Sequence, residues 1–172
     1  GLGASALGIS SVGGTMNMVT KSTEAQKGGS AYFGIGNDGF RKYSVSFSTG
    51  LMDNGWAITF MGSLNTGDGY VKGTNYEGWT YFGNISKVIN DHHKLSLTAF
   101  GAPQWHNQRS TMHYIEDYKN SPDGGRFNNG YGYINGEAVG SGYGYNYYHK
   151  PQVSLNHYWT IDEKSTLTTS LY

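Results

Sequence analysis

Apolar and polar residues alternate with a period of two along most of the chain after residue 28. In the clearest stretch, 42–52, one face is aromatic or aliphatic and the other carries three serines and a glycine. A period of two is typical of a β-strand whose two faces meet different environments. The pattern predicts seven strands, at 30–37, 42–52, 56–66, 79–89, 94–102, 151–161 and 166–172.

The connections between these strands are of two kinds. Short polar turns are predicted at 53–55, 90–93 and 162–165, and the first contains an Asn-Gly pair that suits a type I′ hairpin turn. Long connections are predicted at 67–78 and 104–150. Short turns at one end and long loops at the other are typical of outer-membrane β-barrels, in which lipid and lumen see alternate residues of each strand.

The chemistry of the polar positions favours the same class of fold. These positions are mostly Ser, Thr, Asn and Gly, whereas the exposed face of a soluble β-sandwich would carry many Lys and Glu. Trp56, Trp79 and Trp159 lie near predicted strand ends, where membrane proteins place a girdle of aromatic residues. His157 falls on the predicted apolar face, which suggests a bulge at that point. The sequence therefore predicts an all-β fold, a transmembrane antiparallel β-barrel to which this chain contributes about seven strands.

Composition narrows the function further. The formal net charge is zero, so the basic footprint of a nucleic-acid-binding protein is missing, and the chain has no Cys for a disulfide or a thiolate metal site. No apolar run approaches the ~18 residues of a transmembrane helix. Neither a Ser-His-Asp arrangement nor a pair of carboxylates stands out, and His106 and His113 have no supporting carboxylate spacing. We therefore expect no enzyme, no metal, no cofactor and no nucleic-acid partner.

The first 21 residues have a different character. Small residues dominate 1–12, and after the pair Gly13-Gly14 the chain alternates as a short strand that includes Asn17. Gly1-Leu-Gly-Ala-Ser-Ala-Leu-Gly, followed by Ser11-Val-Gly-Gly-Thr-Met-Asn-Met-Val-Thr-Lys, resembles the last part of the plug domain in TonB-dependent outer-membrane receptors. The resemblance implies that 1–27 ends a plug domain, with Gly13, Gly14 and Asn17 as plug residues, and that 28–172 begins a barrel of about 22 strands. The chain would then be part of a larger protein.

This resemblance also implies a function. Such receptors bind a substrate outside the bacterial outer membrane, a ferric siderophore or another large nutrient, and import it with energy from the TonB protein. The expected partners are TonB, through a segment not in this chain, outer-membrane lipid, and a small-molecule or glycan substrate, with a surface lipoprotein as a further candidate. Two other readings stay open, a small structural or adhesin barrel of the outer membrane and a soluble sugar-binding β-sandwich.

The predicted outer loop at 104–150 carries most of the candidate binding chemistry. The segment from Gly101 to Arg109 is similar to one found in a subgroup of these receptors, and tyrosines farther along are interleaved with Gly and Asn, a composition suited to recognition surfaces. The alternative is that the same residues pack the loop on its neighbours without a ligand. The candidate substrate-binding residues are Trp105, His106, Gln108, Arg109, Tyr131, Tyr133, Tyr143, Tyr145, Tyr147 and Tyr148.

Overall fold

A computed structural model describes residues 2–3, 11–12, 22–109, 112–139 and 145–172 of the chain. The predicted plug residues Gly13, Gly14 and Asn17, and Tyr143 of the outer loop, lie outside the described residues. The boundary at residue 27 between plug and barrel therefore stays a prediction.

The described residues are predominantly β-strand. The strands are β1 Leu2–Gly3, β2 Ser11–Val12, β3 Gly28–Ile35, β4 Arg41–Leu51, β5 Trp56–Gly67, β6 Tyr76–Val88, β7 His93–Gly101, β8 Gln104–Asn107, β9 Gly132–Ile134, β10 Glu137–Val139, β11 Tyr145–Tyr148, β12 Gln152–Asp162 and β13 Ser165–Leu171. One α-helix, α1, spans Ile115–Asn120, and short 3₁₀ helices occur at Ser22–Glu24 and Gly124–Arg126. Within these residues no helix is both long enough and apolar enough to cross a membrane.

Nine of the strands form one antiparallel sheet. Its main order is β13-β12-β7-β6-β5-β4-β3, so the seven strands predicted from the alternation are confirmed as members of one antiparallel sheet. The sheet is open in the described residues, because β3 and β13 each pair with a neighbour on one side only. The two other pairs, β1 with β2 and β9 with β10, are short and stand apart from this sheet.

The predicted loop at 104–150 is wrong at both ends, because strand pairing continues into it. β8 pairs with β6 in the register of β7, and β11 pairs with β8 in the register that β12 keeps with β7. The connecting segment is therefore 108–144. Pro103 is the reason that the sequence predicted a strand end here, because proline has no N–H to donate to a strand ladder. In the structure the Pro103 carbonyl accepts the Trp79 N–H at 2.8 Å, and strand pairing continues past it.

Polarity in this sheet is the reverse of that in a soluble domain. Many exposed side chains along the strands are large and apolar; Val45, for example, is 52% exposed. Ala57 is the only buried apolar residue among those described, whereas several polar residues are buried: Ser48, Asn84, Ser86, Ser96, Thr98 and Asn128. We call the two surfaces the apolar face and the polar face. The predicted assignment of Tyr43, Val45 and Phe47 to one face, and of the serines between them to the other, is confirmed.

The strand register arranges the residues of the apolar face in rows, of which one near the long loops is rich in aromatic residues and one at the turn end contains Trp56. Phe33, Tyr43, Leu64 and Trp79 are aligned across β3–β6 at the end near the long loops, and Trp56 lies at the turn end. Eight residues separate these rows along β5, which is roughly 27 Å at ~3.3 Å per residue.

His157 was expected to mark a bulge, and this expectation is wrong. The register between β12 and β7 is continuous from Gln152 to Trp159, and the irregularity on the other side of β12 falls between Thr160 and Asp162. His157 therefore stands on the apolar face as an ordinary strand residue. Its Nε2 lies 3.0 Å from Nδ1 of His93, which gives the imidazole a polar partner on that face.

The chain enters the sheet beside the turn that joins β4 and β5. The 3₁₀ helix at 22–24 packs against β4, β5 and β6. Gly50, with φ of +63°, lies close to the backbone of Ala25 and Lys27, where a side chain would be crowded. The segment before the first long strand is thus fixed against the turn end of the sheet.

Candidate functional site

Two adjoining concavities lie at the loop end of the sheet, around the junction of β6 and β8. Their volumes are about 310 and 280 Å³, and both are lined by Tyr76, Glu77 and Trp105. In the register, Tyr76 lies opposite His106 and Glu77 lies opposite Trp105. Because neighbouring strand residues point to opposite faces, these pairs belong to different sides of the sheet.

The larger concavity, which we call the inner cleft, is associated with the polar face. Its strand residues on that face are Asn65, Tyr76, Gly78, Gln104 and His106, and Thr74 and Asn107 also contribute. The amide of Asn107 donates to Asn75 Oδ1 at 2.7 Å, which ties the strand end to the β5–β6 loop. The inner cleft therefore offers amide, hydroxyl and imidazole groups next to one tyrosine ring.

The smaller concavity, the outer cleft, is associated with the apolar face. Arg41, Thr66, Glu77 and Trp105 form one register row across β4, β5, β6 and β8, beyond the aromatic row. Glu77 Oε1 accepts the indole N–H of Trp79 at 2.9 Å. This cleft thus combines one cation, Arg41, and two carboxylates, Glu77 and Asp68, with an indole.

The predicted binding residues at the start of the outer loop divide between these surfaces. Trp105 stacks with Tyr145 at 6.0 Å on the apolar face, and His106 faces the inner cleft. The Gln108 amide lies 3.1 Å from His106 Nε2, so Gln108 adjoins the same cleft. Arg109 is engaged elsewhere: its guanidinium donates to the Tyr118 hydroxyl at 2.8 Å.

The predicted tyrosines do not form one wall. Tyr147 and Tyr145 are exposed on the apolar face, whereas Tyr148 lies on the polar face with Lys150 Nζ 5.3 Å from its ring centre. Tyr131 and Tyr133 pack edge to face at 5.9 Å within the segment 108–144, where Tyr133 belongs to β9. A hydrogen bond with Tyr133 raises the pKa of Tyr131 above its ordinary value. The sequence analysis grouped these tyrosines as one binding surface because of their composition, but the strand register places those of β11 on different faces of the sheet.

The long connecting segment 108–144 is anchored to its neighbours by Arg126. Its guanidinium lies 2.6 Å from Asp38 Oδ1, donates to the Tyr70 carbonyl at 3.2 Å and covers the Tyr70 ring at 4.7 Å. Arg126 thereby joins the loops at 36–40, 68–75 and 108–144.

A second link lies next to this one, at Lys72. Lys72 Nζ is 2.5 Å from Asp123 Oδ1, a hydrogen bond that raises the pKa of Lys72. Buried Asn128 donates to the Lys72 carbonyl at 2.7 Å. The segment 123–131 therefore packs on the β5–β6 loop. This part of the long connection fits the alternative in which it packs on its neighbours without a ligand.

Replacing Arg126 with Ala is expected to loosen the β5–β6 loop. The ion pair and the cation–π contact together are worth about 1 kcal/mol, which corresponds to about fivefold faster amide exchange in 68–75. Hydrogen exchange followed by mass spectrometry measures this. Arg109→Ala is the matched control, because Arg109 contacts Tyr118 within its own loop; equal effects of both variants would mean that Arg126 is not an anchor.

Residues that the sequence analysis missed supply much of both clefts: Arg41, Asn65, Thr66, Tyr76, Glu77, Asn107. The sequence gives little indication of these residues, because each is an isolated polar or aromatic residue near a predicted strand end. Only the register between β4, β5, β6 and β8 brings them together. Comparison of the chain with protein-family models, with curated proteins and with solved structures gives no significant match.

Proposed function

We propose that this chain is part of an outer-membrane receptor of the TonB-dependent kind, which binds a nutrient outside the cell and imports it. The observation that carries the proposal is the reversed polarity of the sheet. Its apolar face is exposed, and its buried side chains are mostly polar. A lipid-embedded barrel wall accounts for both facts, because lipid covers the apolar residues and the lumen side contacts the polar ones.

The lengths of the strands support a membrane wall. β4, β5, β6, β7 and β12 have 11, 12, 13, 9 and 11 residues, and a tilted transmembrane strand needs about 9–11. The transport mechanism rests on the resemblance of residues 1–21 to the end of a plug domain. In that mechanism the plug closes the lumen until TonB pulls on it.

The inner cleft is the substrate contact that this proposal favours. It lies on the polar face at the loop end of the strands, where a substrate entering the lumen from outside would first meet the wall. Its neutral amides, imidazole and tyrosine can hydrogen-bond and stack with a ligand rich in oxygen atoms. The charged outer cleft, on the face assigned to lipid, is less well placed for transport.

Replacing His106 with Ala is expected to weaken substrate binding by about tenfold, or 1.4 kcal/mol. Trp105→Ala should change it less, because the indole lies on the opposite face of the same strand. The measurement is equilibrium binding to the purified full-length protein of a panel of ferric siderophores, haem, cobalamin and oligosaccharides. Trp159→Ala, at the other end of the sheet, is the control for general damage. Greater loss with Trp105→Ala would move the site to the outer cleft, and binding by none of the panel would contradict the receptor proposal.

A further inference from the structure

Basic and aromatic residues cluster on the apolar face at its turn end. The register aligns Trp56, Lys87, Leu95 and His157 in one row across β5, β6, β7 and β12. His93 and Trp159 form the next row towards the turns. We call these residues the turn-end cluster.

Lys87 is held in a definite position within the cluster. Its Nζ donates to the Asn54 carbonyl at 2.5 Å and lies 5.1 Å from the centre of the Trp56 ring. The side chain therefore runs towards the turn, with its methylene groups beside the apolar rows and its charge at their edge. A lysine at the boundary of a hydrocarbon layer adopts this arrangement to keep its ammonium among polar groups.

The two histidines form the other half of the cluster. His93 Nδ1 and His157 Nε2 are 3.0 Å apart, and the rings stack at 5.2 Å between centres. His93 also stacks with Trp159 at 5.6 Å. The pair is thus a compact group of imidazole donors and acceptors supported by an indole.

The charges of the cluster favour an anion. Along the described strands of the main sheet, Glu77 lies on the apolar face at the opposite, loop end, and Asp162 ends β12 opposite Ser165, beyond Trp159. The Asp162 carboxylate accepts the Lys164 N–H at 2.8 Å, so it is engaged within its own turn. Asp53 and Asp91 belong to the turns beyond the cluster, farther from the apolar rows. A phosphate placed over Leu95 would therefore meet His157 on one side. On the other side it would meet Lys87 once Nζ turns from the Asn54 carbonyl and the Trp56 ring towards β7.

The spacing also suits a phosphate group. Lys87 and His157 are separated by two strand intervals, about 10 Å between Cα atoms. A lysine side chain and an imidazole can both reach an anion between them over that distance. Leu95 and the apolar rows next to it would contact acyl chains attached to the same molecule.

We propose that the turn-end cluster binds the headgroup of an anionic phospholipid, with Lys87 and His157 holding the phosphate and Trp56 and Trp159 bracketing it. This inference rests on the proposed membrane location of the sheet. The proposed function requires only that lipid covers the apolar face, whereas this inference gives the turn-end cluster a specific ligand.

The test uses the full-length protein in detergent, with equimolar phosphatidylglycerol and phosphatidylcholine of the same acyl chains, and counts retained lipids by native mass spectrometry. One basic residue near an anionic lipid is worth about a fivefold change in occupancy. Lys87→Gln is therefore expected to reduce retained phosphatidylglycerol about fivefold relative to phosphatidylcholine, and His157→Gln should also lower that ratio. Lys94→Gln is the matched control: Lys94 neighbours Leu95 but lies on the polar face, with its Nζ over Tyr158.

The outcomes separate the site from the proposed function. A phosphatidylglycerol ratio unchanged by both Lys87→Gln and His157→Gln, in a protein that retains lipid, would overturn the headgroup site alone. An equal fall of the phosphatidylglycerol ratio in Lys94→Gln would also overturn it, because lipid retention would then depend on the total charge of the protein and not on the position of Lys87. A protein that stays in solution without detergent and retains no lipid would overturn the membrane location itself. The electrophoretic mobility of unheated samples shows whether each variant is folded.

Discussion

Replacing Val153 with Arg should destabilise the full-length protein in phospholipid vesicles by about 2–4 kcal/mol. Val153 is exposed on the apolar face of β12, in the same register row as Ala99, Gly83 and Phe60. That row is midway between the turn-end and loop-end rows, so it lies near the centre of the proposed bilayer span. A guanidinium at this depth loses its hydration without gaining a partner.

The neighbouring residue provides the control. Ser154 points to the polar face, opposite Thr98, so Ser154→Arg should cost less than Val153→Arg. Urea unfolding in vesicles, followed by tryptophan fluorescence, measures both. In a soluble β-sandwich the exposed Val153 would be in water, and its replacement would change stability by about 0.5 kcal/mol or less. A harmless Val153→Arg would therefore contradict the membrane wall directly.

The alternation of apolar and polar residues was sufficient to predict the strands of the sheet, because it can be recognised within the sequence of each strand alone. In each predicted strand most of the apolar side chains share one parity, and the register preserves that parity from β3 to β13. Exceptions include Tyr32, Phe82, Phe100 and Tyr158, which lie on the other face. The strand ends were harder to predict. At the loop end of β7 the alternation is interrupted by Pro103, although the backbone continues to pair.

The candidate site was predicted only in part, and the reason is geometric. Trp105 and His106 are neighbours in sequence, yet the strand sends their side chains to opposite faces. The residues that complete the inner cleft come from β5, β6 and β8 and meet through pairing between distant segments. Arg126 illustrates the same limit: its partners Asp38 and Tyr70 are 88 and 56 positions away, and no local pattern indicates them.

The buried polar network on the polar face leads to the second large prediction. Asn84 is 1% exposed, and its amide donates to Ser96 Oγ at 2.9 Å and to Thr98 Oγ1 at 2.7 Å. Its carbonyl oxygen accepts the Ser86 hydroxyl at 2.7 Å, and Ser86 also lies 3.0 Å from Ser96. One amide thus connects three hydroxyl groups on two strands.

Replacing Asn84 with Ala should lower the free energy of unfolding by about 1–3 kcal/mol, because it leaves buried hydroxyl groups without their partner. Ser46→Ala is the matched control, since it removes a hydroxyl that bonds Ser30 at 2.8 Å on the same face in an exposed position. That change should cost about 0.5 kcal/mol or less. A double-mutant cycle with Thr98→Ala should show a coupling of at least ~0.5 kcal/mol. Equal costs at Asn84 and Ser46 would mean that water reaches the network, and the polar face at β6 and β7 would then be open to solvent and not packed.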